Sequence, residues 1–161
     1  MNAQVEALRK EQVNKEFYSA YLYLAMSNYY YGENLDGFGH WFEAQAREEQ
    51  EHAMKILKYL QDNDVKVELG AIAAPGADFA DNKAPLTAAL KHEQYVTSLI
   101  HAIYKQARDS DDFRACQFLE WFIAEQGEEE KSTADLIAKF DLFGGDAKGL
   151  YLLNAELKNR A

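Results

Sequence analysis

The chain reads as all-α: a four-helix bundle with one long crossover and a short fifth helix. Three observations predict this. Helix breakers are scarce, with two prolines and nine glycines in 161 residues, against much Ala, Leu, Glu, Lys and Gln. Apolar residues recur at steps of three and four over four long stretches. Those stretches are joined by two tight turns and one connection of about twenty residues.

The first helix is predicted over about residues 3–31, stopping near Gly32. The second follows the start signal "NLDG" and covers about 36–63. The third begins at Ala84 and Pro85, a proline suited to a first helical turn, and reaches about 109. The fourth follows the acidic turn "DSDD" and runs to about 141, where Gly144 and Gly145 end it. The fifth, about 146–158, carries Leu150, Leu153 and Leu157. Tight turns make the first pair and the second pair antiparallel hairpins. The connection "DVKVELGAIAAPGADFADNK" is too long for a structureless loop in a compact domain, and reads as a crossover along the bundle. Residues 1–161 are expected to form one domain.

A formal charge of −10 repels nucleic-acid phosphates and anionic membranes and attracts cations, so neither of the first two is an expected partner. The single Cys116 excludes an internal disulfide, a CxxC pair and a four-cysteine iron site. The opening "MNAQVEALRKEQ" has no apolar signal core, and no apolar run approaches the roughly 20 residues of a membrane span. A cytoplasmic location is expected.

The predicted core stripes carry the chemistry. They read Val13, Glu16, Phe17, Ala20, Tyr23 and Leu24 in the first helix, and Phe38, Trp41, Gln45, Glu49, His52, Ile56 and Tyr59 in the second. The third reads Leu86, Leu90, Glu93, Val96, Ile100 and Ile103; the fourth reads Leu119, Phe122, Gln126, Glu129, Thr133, Leu136 and Phe140. A carboxylate interrupts each stripe towards the middle of its helix. In a bundle of similar-length helices those midpoints share one layer, so Glu16, Glu49, His52, Glu93 and Glu129 should converge, with Gln126 close by.

Four buried carboxylates are costly, because burial penalises each charge and like charges repel. No Arg or Lys stands three or four residues from any of the four on these stripes. Shared protons or metal ions remain as solutions, and two divalent cations would neutralise the set. Glu49-x-x-His52 places both side chains one turn apart, within reach of one metal. Three residues after Glu129 stands Ser132, so the two metal positions should be unequal. Oxygen-rich ligands with one imidazole suit iron or manganese better than copper. Within "EAQAREEQEHAMK", Glu43 and Arg47, and Glu51 and Lys55, have the spacing of exposed acid–base pairs, leaving Glu48, Glu49 and His52 unassigned to such pairs. Tyr23 is either ordinary core packing with a hydrogen-bonded hydroxyl, or a partner beside the centre able to donate an electron. Trp121 poses the same choice.

The segments "NKEFYSAYLYLAMS", "FEAQAREEQEHA", "LKHEQ" and "FLEWFIAEQGEEEK" resemble, in order, the signature segments of prokaryotic non-haem ferritins. The resemblance covers essentially the whole chain. It implies a ferritin-like fold, a homo-oligomeric cage of 24 subunits, and oxidation of Fe(II) by O2 or H2O2 with storage of ferric mineral. Carried onto this sequence, it implies one iron site at Glu16, Glu49 and His52. A second would lie at Glu93 and Glu129, with Glu49 bridging and Gln126 adjacent. A third would involve Glu48, Glu125, Glu128 and Glu129. Tyr23 matches the tyrosine that the family places beside the centre.

The departures are informative. Gln50 stands where the haem-binding methionine of bacterioferritins falls, so no haem is expected, and Ser132 replaces their second histidine. Cys116 and Leu119 stand where animal heavy chains carry acidic channel residues; Asp109, Asp111 and Asp112 are either a substitute acidic funnel or a capped, solvated turn. Two other function classes stay open: a di-iron oxidase or oxygenase acting on an organic substrate, and a non-enzymatic helical assembly.

Overall fold

The computed structural model describes residues 3–76 and 78–161, with the side chain of Gln4 excepted. Met1 and Asn2, in the segment read as lacking a signal core, and Ala77, in the predicted crossover, lie outside the described residues. Five helices follow in order: α1 (Ala3–Gly32), α2 (Asp36–Asp62), α3 (Ala84–Asp109), α4 (Phe113–Phe143) and α5 (Ala147–Leu157). Among the described residues there is no strand, and no helix is long and apolar enough to cross a membrane.

The packing follows the predicted hairpins. α1 lies against α2, α3 against α4, and α1 also against α3. The backbones of α2 and α4 stand further apart and meet through side chains, Gln45 with Glu129 and His52 with Trp121 and Phe122. The functional residues occupy that gap. Apolar clusters close the bundle on either side of it. One is built on Tyr23, Met26, Tyr30, Phe38, Phe42, Leu86 and Leu136, the other on Val13, Ile56, Leu60, Val96, Ile100 and Phe122. The crossover is held to α1 by Asn14, whose side-chain amide donates to the carbonyls of Gly70 (3.3 Å) and Ala71 (3.0 Å).

The helix ends show how the chain is punctuated. Asp81 Oδ1 accepts from the backbone N–H of Ala84 at 2.8 Å, with Pro85 in the first turn of α3. Asp112 caps α4 by accepting from Ala115 N–H at 3.1 Å, and Asp109 pairs with Lys105 at 2.7 Å. Two of the three acids that might have formed a funnel thus act locally, as a cap and an ion pair. The expected start of α2 is different. Leu35 stands at the cap position and offers no side-chain bond. Asn154 of α5 supplies it instead: Oδ1 accepts from Gly37 N–H (2.7 Å) and Phe38 N–H (3.2 Å), and Nδ2 donates to Asp36 (3.0 Å). A β-carbon at Gly37 would lie 1.7 Å from the Asn154 carbonyl oxygen, so glycine is needed there for α5 to dock.

One stripe needs correction. Leu24 is 49% exposed, and the buried line of α1 runs instead through Glu16, Ser19, Tyr23, Met26, Ser27 and Tyr30. Leu24 follows Tyr23 by one residue, a rotation of about 100°, which carries it onto the outer side of the α1–α2 hairpin. There it lines an apolar groove of about 610 Å³ with Phe17, Ala20, Tyr21 and Ile72.

Candidate metal centre

Each helix of the bundle delivers one buried glutamate to the gap: Glu16 from α1, Glu49 from α2, Glu93 from α3 and Glu129 from α4. His52 and Gln126 are buried with them. One ligand atom each of Glu16, Glu49 and His52 lies within 4.8 Å of the others, and the same holds for Glu49, Glu93 and Glu129. Glu49 belongs to both groups and therefore stands between two positions. His52 faces two ways: Nδ1 is 3.5 Å from Glu49 Oε2, while Nε2 is 3.7 Å from Glu125 Oε1.

A layer of neutral donors holds these carboxylates. Gln12 donates to Glu16 Oε1 at 3.0 Å. Gln45 donates to Glu49 Oε1 at 3.3 Å and also to Glu129 Oε2. The Tyr23 hydroxyl donates to Glu93 Oε1, and Gln126 donates to Glu93 Oε2 at 3.0 Å. Tyr23 is itself wedged against Phe42 and the edge of His92. His92 Nε2 lies 2.7 Å from Ser19 Oγ, and burial holds its pKa down at about 4, so this imidazole is neutral.

The inner atoms are left without such partners. Glu16 Oε2, Glu49 Oε2, His52 Nδ1 and Gln126 Oε1 are buried and make no hydrogen bond. Unpaired buried acceptors are costly, and here they converge on the two positions bounded by the carboxylates. Carboxylate oxygens with one imidazole nitrogen at the first position, and carboxylate oxygens alone at the second, are donor sets of a hard or borderline cation. The residues present therefore fit iron.

The protonation equilibria report the same crowding. Burial, then the Glu16 and Glu93 carboxylates, raise Glu49 well above the ordinary range. Burial raises Glu93 to about 7, against the lowering effect of the Tyr23 and Gln126 hydrogen bonds. Burial and then the charge of Glu93 raise Glu129 to about 9. Burial also raises the Tyr23 phenol well above its usual value, with Glu93 adding to it. Without a cation the centre holds protons; a cation would release them.

Outside this layer, between α2 and α4, is an acidic vestibule of about 350 Å³. Glu48, Glu125, Glu128 and Glu129 line it together with Ser132 and Arg160. His52, Glu125 and Glu129 also have ligand atoms within 4.8 Å of one another. Glu128 is exposed, whereas Glu48 and Glu125 are half-buried. Glu43 pairs with Arg47 at 3.6 Å as its spacing suggests. Lys55 does not pair with Glu51: its ammonium sits 3.4 Å from the centroid of Trp121, where burial lowers its pKa. The Trp121 ring in turn stands edge-on to His52, at 5.4 Å between centroids.

Two features escaped the sequence reading. Gln12 and Gln45 each stand four residues before a buried glutamate, Glu16 and Glu49, and that repeated spacing was a usable signal for the donor layer. Arg160 carried no signal, because it lies beyond the last predicted helix and reaches Glu48 only through the docking of α5.

A bundle with one long crossover and an interior cluster of four glutamates and a histidine defines a ferritin-like carboxylate metal protein. Comparison with known proteins agrees. The sequence matches the ferritin-like domain family over residues 6–143. It is 36% identical to a bacterial non-heme ferritin of Campylobacter jejuni over 161 residues, covering 100% of this chain and 96% of that protein. It is also 36% identical to a bacterial non-heme ferritin of Staphylococcus aureus over 156 residues, covering 97% and 93%. Among solved structures, the open pore ferritin of the archaeon Archaeoglobus fulgidus superposes with a TM-score of 0.97 at 35% identity, covering 100% of this chain and 99% of that one. The chain belongs to the ferritin family, among the prokaryotic non-haem ferritins. That membership supports a role in iron storage.

Proposed function

We propose that the protein is a ferroxidase and iron store: it oxidises Fe(II) at a two-iron centre and passes Fe(III) into the cavity of a 24-subunit homo-oligomeric cage. The observation that carries this reading is the set of buried, unpartnered ligand atoms on Glu16, Glu49, His52 and Gln126. Fe(II) is substrate here. One ion is held by Glu16, Glu49 and His52, the other by Glu49, Glu93 and Glu129 with Gln126 beside it. Glu48, Glu125, Glu128 and Glu129 form an outer iron position on the way out. No haem is required. The chain works as one domain, in the cytoplasm.

The chain's residues perform three tasks. The carboxylates hold the harder Fe(III) more tightly than Fe(II), which lowers the iron potential. Glu49 keeps the two ions close enough to serve one oxidant: each Fe(II) gives up one electron, and O2 with two protons becomes H2O2, or H2O2 with two protons becomes two waters. Protons displaced from Glu93 and Glu129 on loading are available in the same layer. Tyr23, hydrogen-bonded to Glu93, orients that ligand and is an aromatic electron donor in direct contact with it.

Exposed apolar side chains favour assembly. Phe113 (70%), Leu142 (75%), Tyr151 (72%) and Leu152 (58%) face outwards, more apolar surface at the bundle ends than an isolated chain needs. The organic-substrate reading finds less support, since the apolar groove at Leu24 is lined by none of the proposed ligands.

The test is stopped-flow oxidation of two Fe(II) per subunit by O2 and, separately, by H2O2, together with size exclusion. The expected result is saturation at two irons per subunit, well above the rate of iron in buffer, in a species near 24 times 18.4 kDa. Oxidation no faster than the buffer control, or elution as a single chain, rejects the reading.

A further inference from the structure

Among the described residues, the one guanidinium lining the acidic vestibule belongs to Arg160, after α5. It is held by more than one neighbour. His40 Nε2 donates to the Arg160 carbonyl at 2.5 Å, which fixes the backbone. The side chain stacks on Trp41, with Cζ 4.4 Å from the ring centroid. One terminal nitrogen donates to the Trp41 carbonyl at 3.0 Å. The other donates to Gln45 Oε1 at 2.9 Å and lies 3.2 Å from Glu48 Oε2. Three contacts of the guanidinium itself, with the Trp41 ring, the Trp41 carbonyl and Gln45, involve no acid, so the head group keeps its place whether or not Glu48 is bound to it.

We propose that Arg160 is a tethered counter-cation: it occupies the acidic vestibule beside the inner centre, and a metal ion at the outer position must take Glu48 away from it. This rests on the reading of Glu48, Glu125, Glu128 and Glu129 as an outer iron position. A guanidinium and a divalent ion compete for the same carboxylate oxygen, and a fixed positive charge a few ångströms away repels the incoming ion. Arg160 therefore lowers the affinity of the outer position. Weak holding suits a way-station, because a tightly bound ion would stop there instead of moving on. Lys55, a cation in the neighbouring pocket that Glu48 and Glu125 also line, is directed onto the Trp121 ring.

The same guanidinium acts inwards through one side chain. By binding Gln45 Oε1 it fixes the amide so that the Gln45 NH2 group faces Glu49 and Glu129. Arg160 is thus a positioning residue for the inner centre and a competitor at the outer one. The two roles have opposite effects on metal affinity: loss of the charge tightens the outer position, and loss of the Gln45 anchor loosens the inner one slightly.

Zinc binding to the iron-free assembled protein, followed by titration calorimetry, tests this without any turnover. Zn(II) is redox-inert and takes the same oxygen and imidazole ligands. The parent is expected to bind two ions tightly and a third more weakly. In R160Q, which keeps an amide N–H for the Trp41 carbonyl, the weakest class should tighten about fivefold, the upper range for a partly exposed ion pair. R160K, which keeps the charge, should stay within about twofold of the parent. In E48Q the weak class should loosen, and adding R160Q to E48Q should recover less than half of the gain seen in the parent. An unchanged or loosened weak class in R160Q, or equal tightening in R160Q and R160K, overturns the role of Arg160 while leaving the outer position standing. A weak class absent from parent and R160Q alike, or present and indifferent to E48Q, overturns the outer position itself and the proposal with it.

Discussion

The E49Q variant will oxidise Fe(II) about 100-fold more slowly than the parent, or worse, yet its metal-free form will be the more heat-stable of the two. Glu49 is the one side chain common to both inner ligand groups. Changes one layer further out from metal ligands already cost about 10–100-fold in affinity or activity, so removal of the shared carboxylate costs at least that. Stability moves the other way for a reason visible in the same residue. Glu49 is fully buried among Glu16, Glu93 and Glu129, with no Arg or Lys paired to it among the described residues and its pKa raised. While the folded chain keeps a proton there that the unfolded chain has lost, the cost grows with pH, and once the folded chain ionises the full burial penalty remains. Gln keeps the shape and still accepts the Gln45 hydrogen bond, but carries no charge. Thermal unfolding at pH 8 in a chelator should show a midpoint raised by roughly 2–4 °C. A metal-free E49Q protein less stable than the parent would mean that Glu49 is held by something other than metal.

Metal-free stability will fall as pH rises from about 5 to 9, and Zn(II) will restore more of it the higher the pH. Glu93 and Glu129 have folded-state pKa values of about 7 and about 9, above the roughly 4.3 of an unfolded glutamate. Between these limits the folded chain binds more protons than the unfolded one, so its stability declines with increasing pH. The contribution of Glu93 is spent by about pH 7, whereas that of Glu129 continues to fall to about pH 9. Each excess proton corresponds to about 1.4 kcal/mol per pH unit. Bound metal replaces those protons, so the zinc-induced rise in unfolding temperature should be larger at pH 8.5 than at pH 6. Calorimetric scans at both pH values, with and without zinc, decide it. A metal-free midpoint that is flat or rising between pH 6 and 8.5, with a constant zinc increment, would show that these carboxylates are not the linked groups.

Much of this was readable from local pattern, and the omissions share a cause. The helices and the long crossover follow from periodicity and breaker placement, both properties of short windows. The convergence of Glu16, Glu49, His52, Glu93 and Glu129 follows from one further step, that interruptions at similar depth meet in one layer. Leu24 was misplaced because two apolar residues in succession, Tyr23 and Leu24, leave the direction of the stripe ambiguous by one position. Asn154 and Arg160 could not be assigned from pattern at all. Asn154 caps a helix more than a hundred residues earlier in the chain, and Arg160 reaches Glu48 across a tertiary contact. Lys55 had a plausible partner in Glu51 four residues away, but the neighbouring helix offers the Trp121 face. Local spacing names the groups able to interact; docking decides between them.

The most direct test of the central claim, that the buried glutamates are ligands for two metal ions, is anomalous diffraction at the iron edge from crystals soaked anaerobically with Fe(II). Two strong peaks are predicted within each subunit. One lies among Glu16, Glu49 and His52, the other among Glu49, Glu93 and Glu129. Iron found only on the outer acids, with Glu49 and Glu93 still bonded to Gln45, Tyr23 and Gln126 alone, would contradict it.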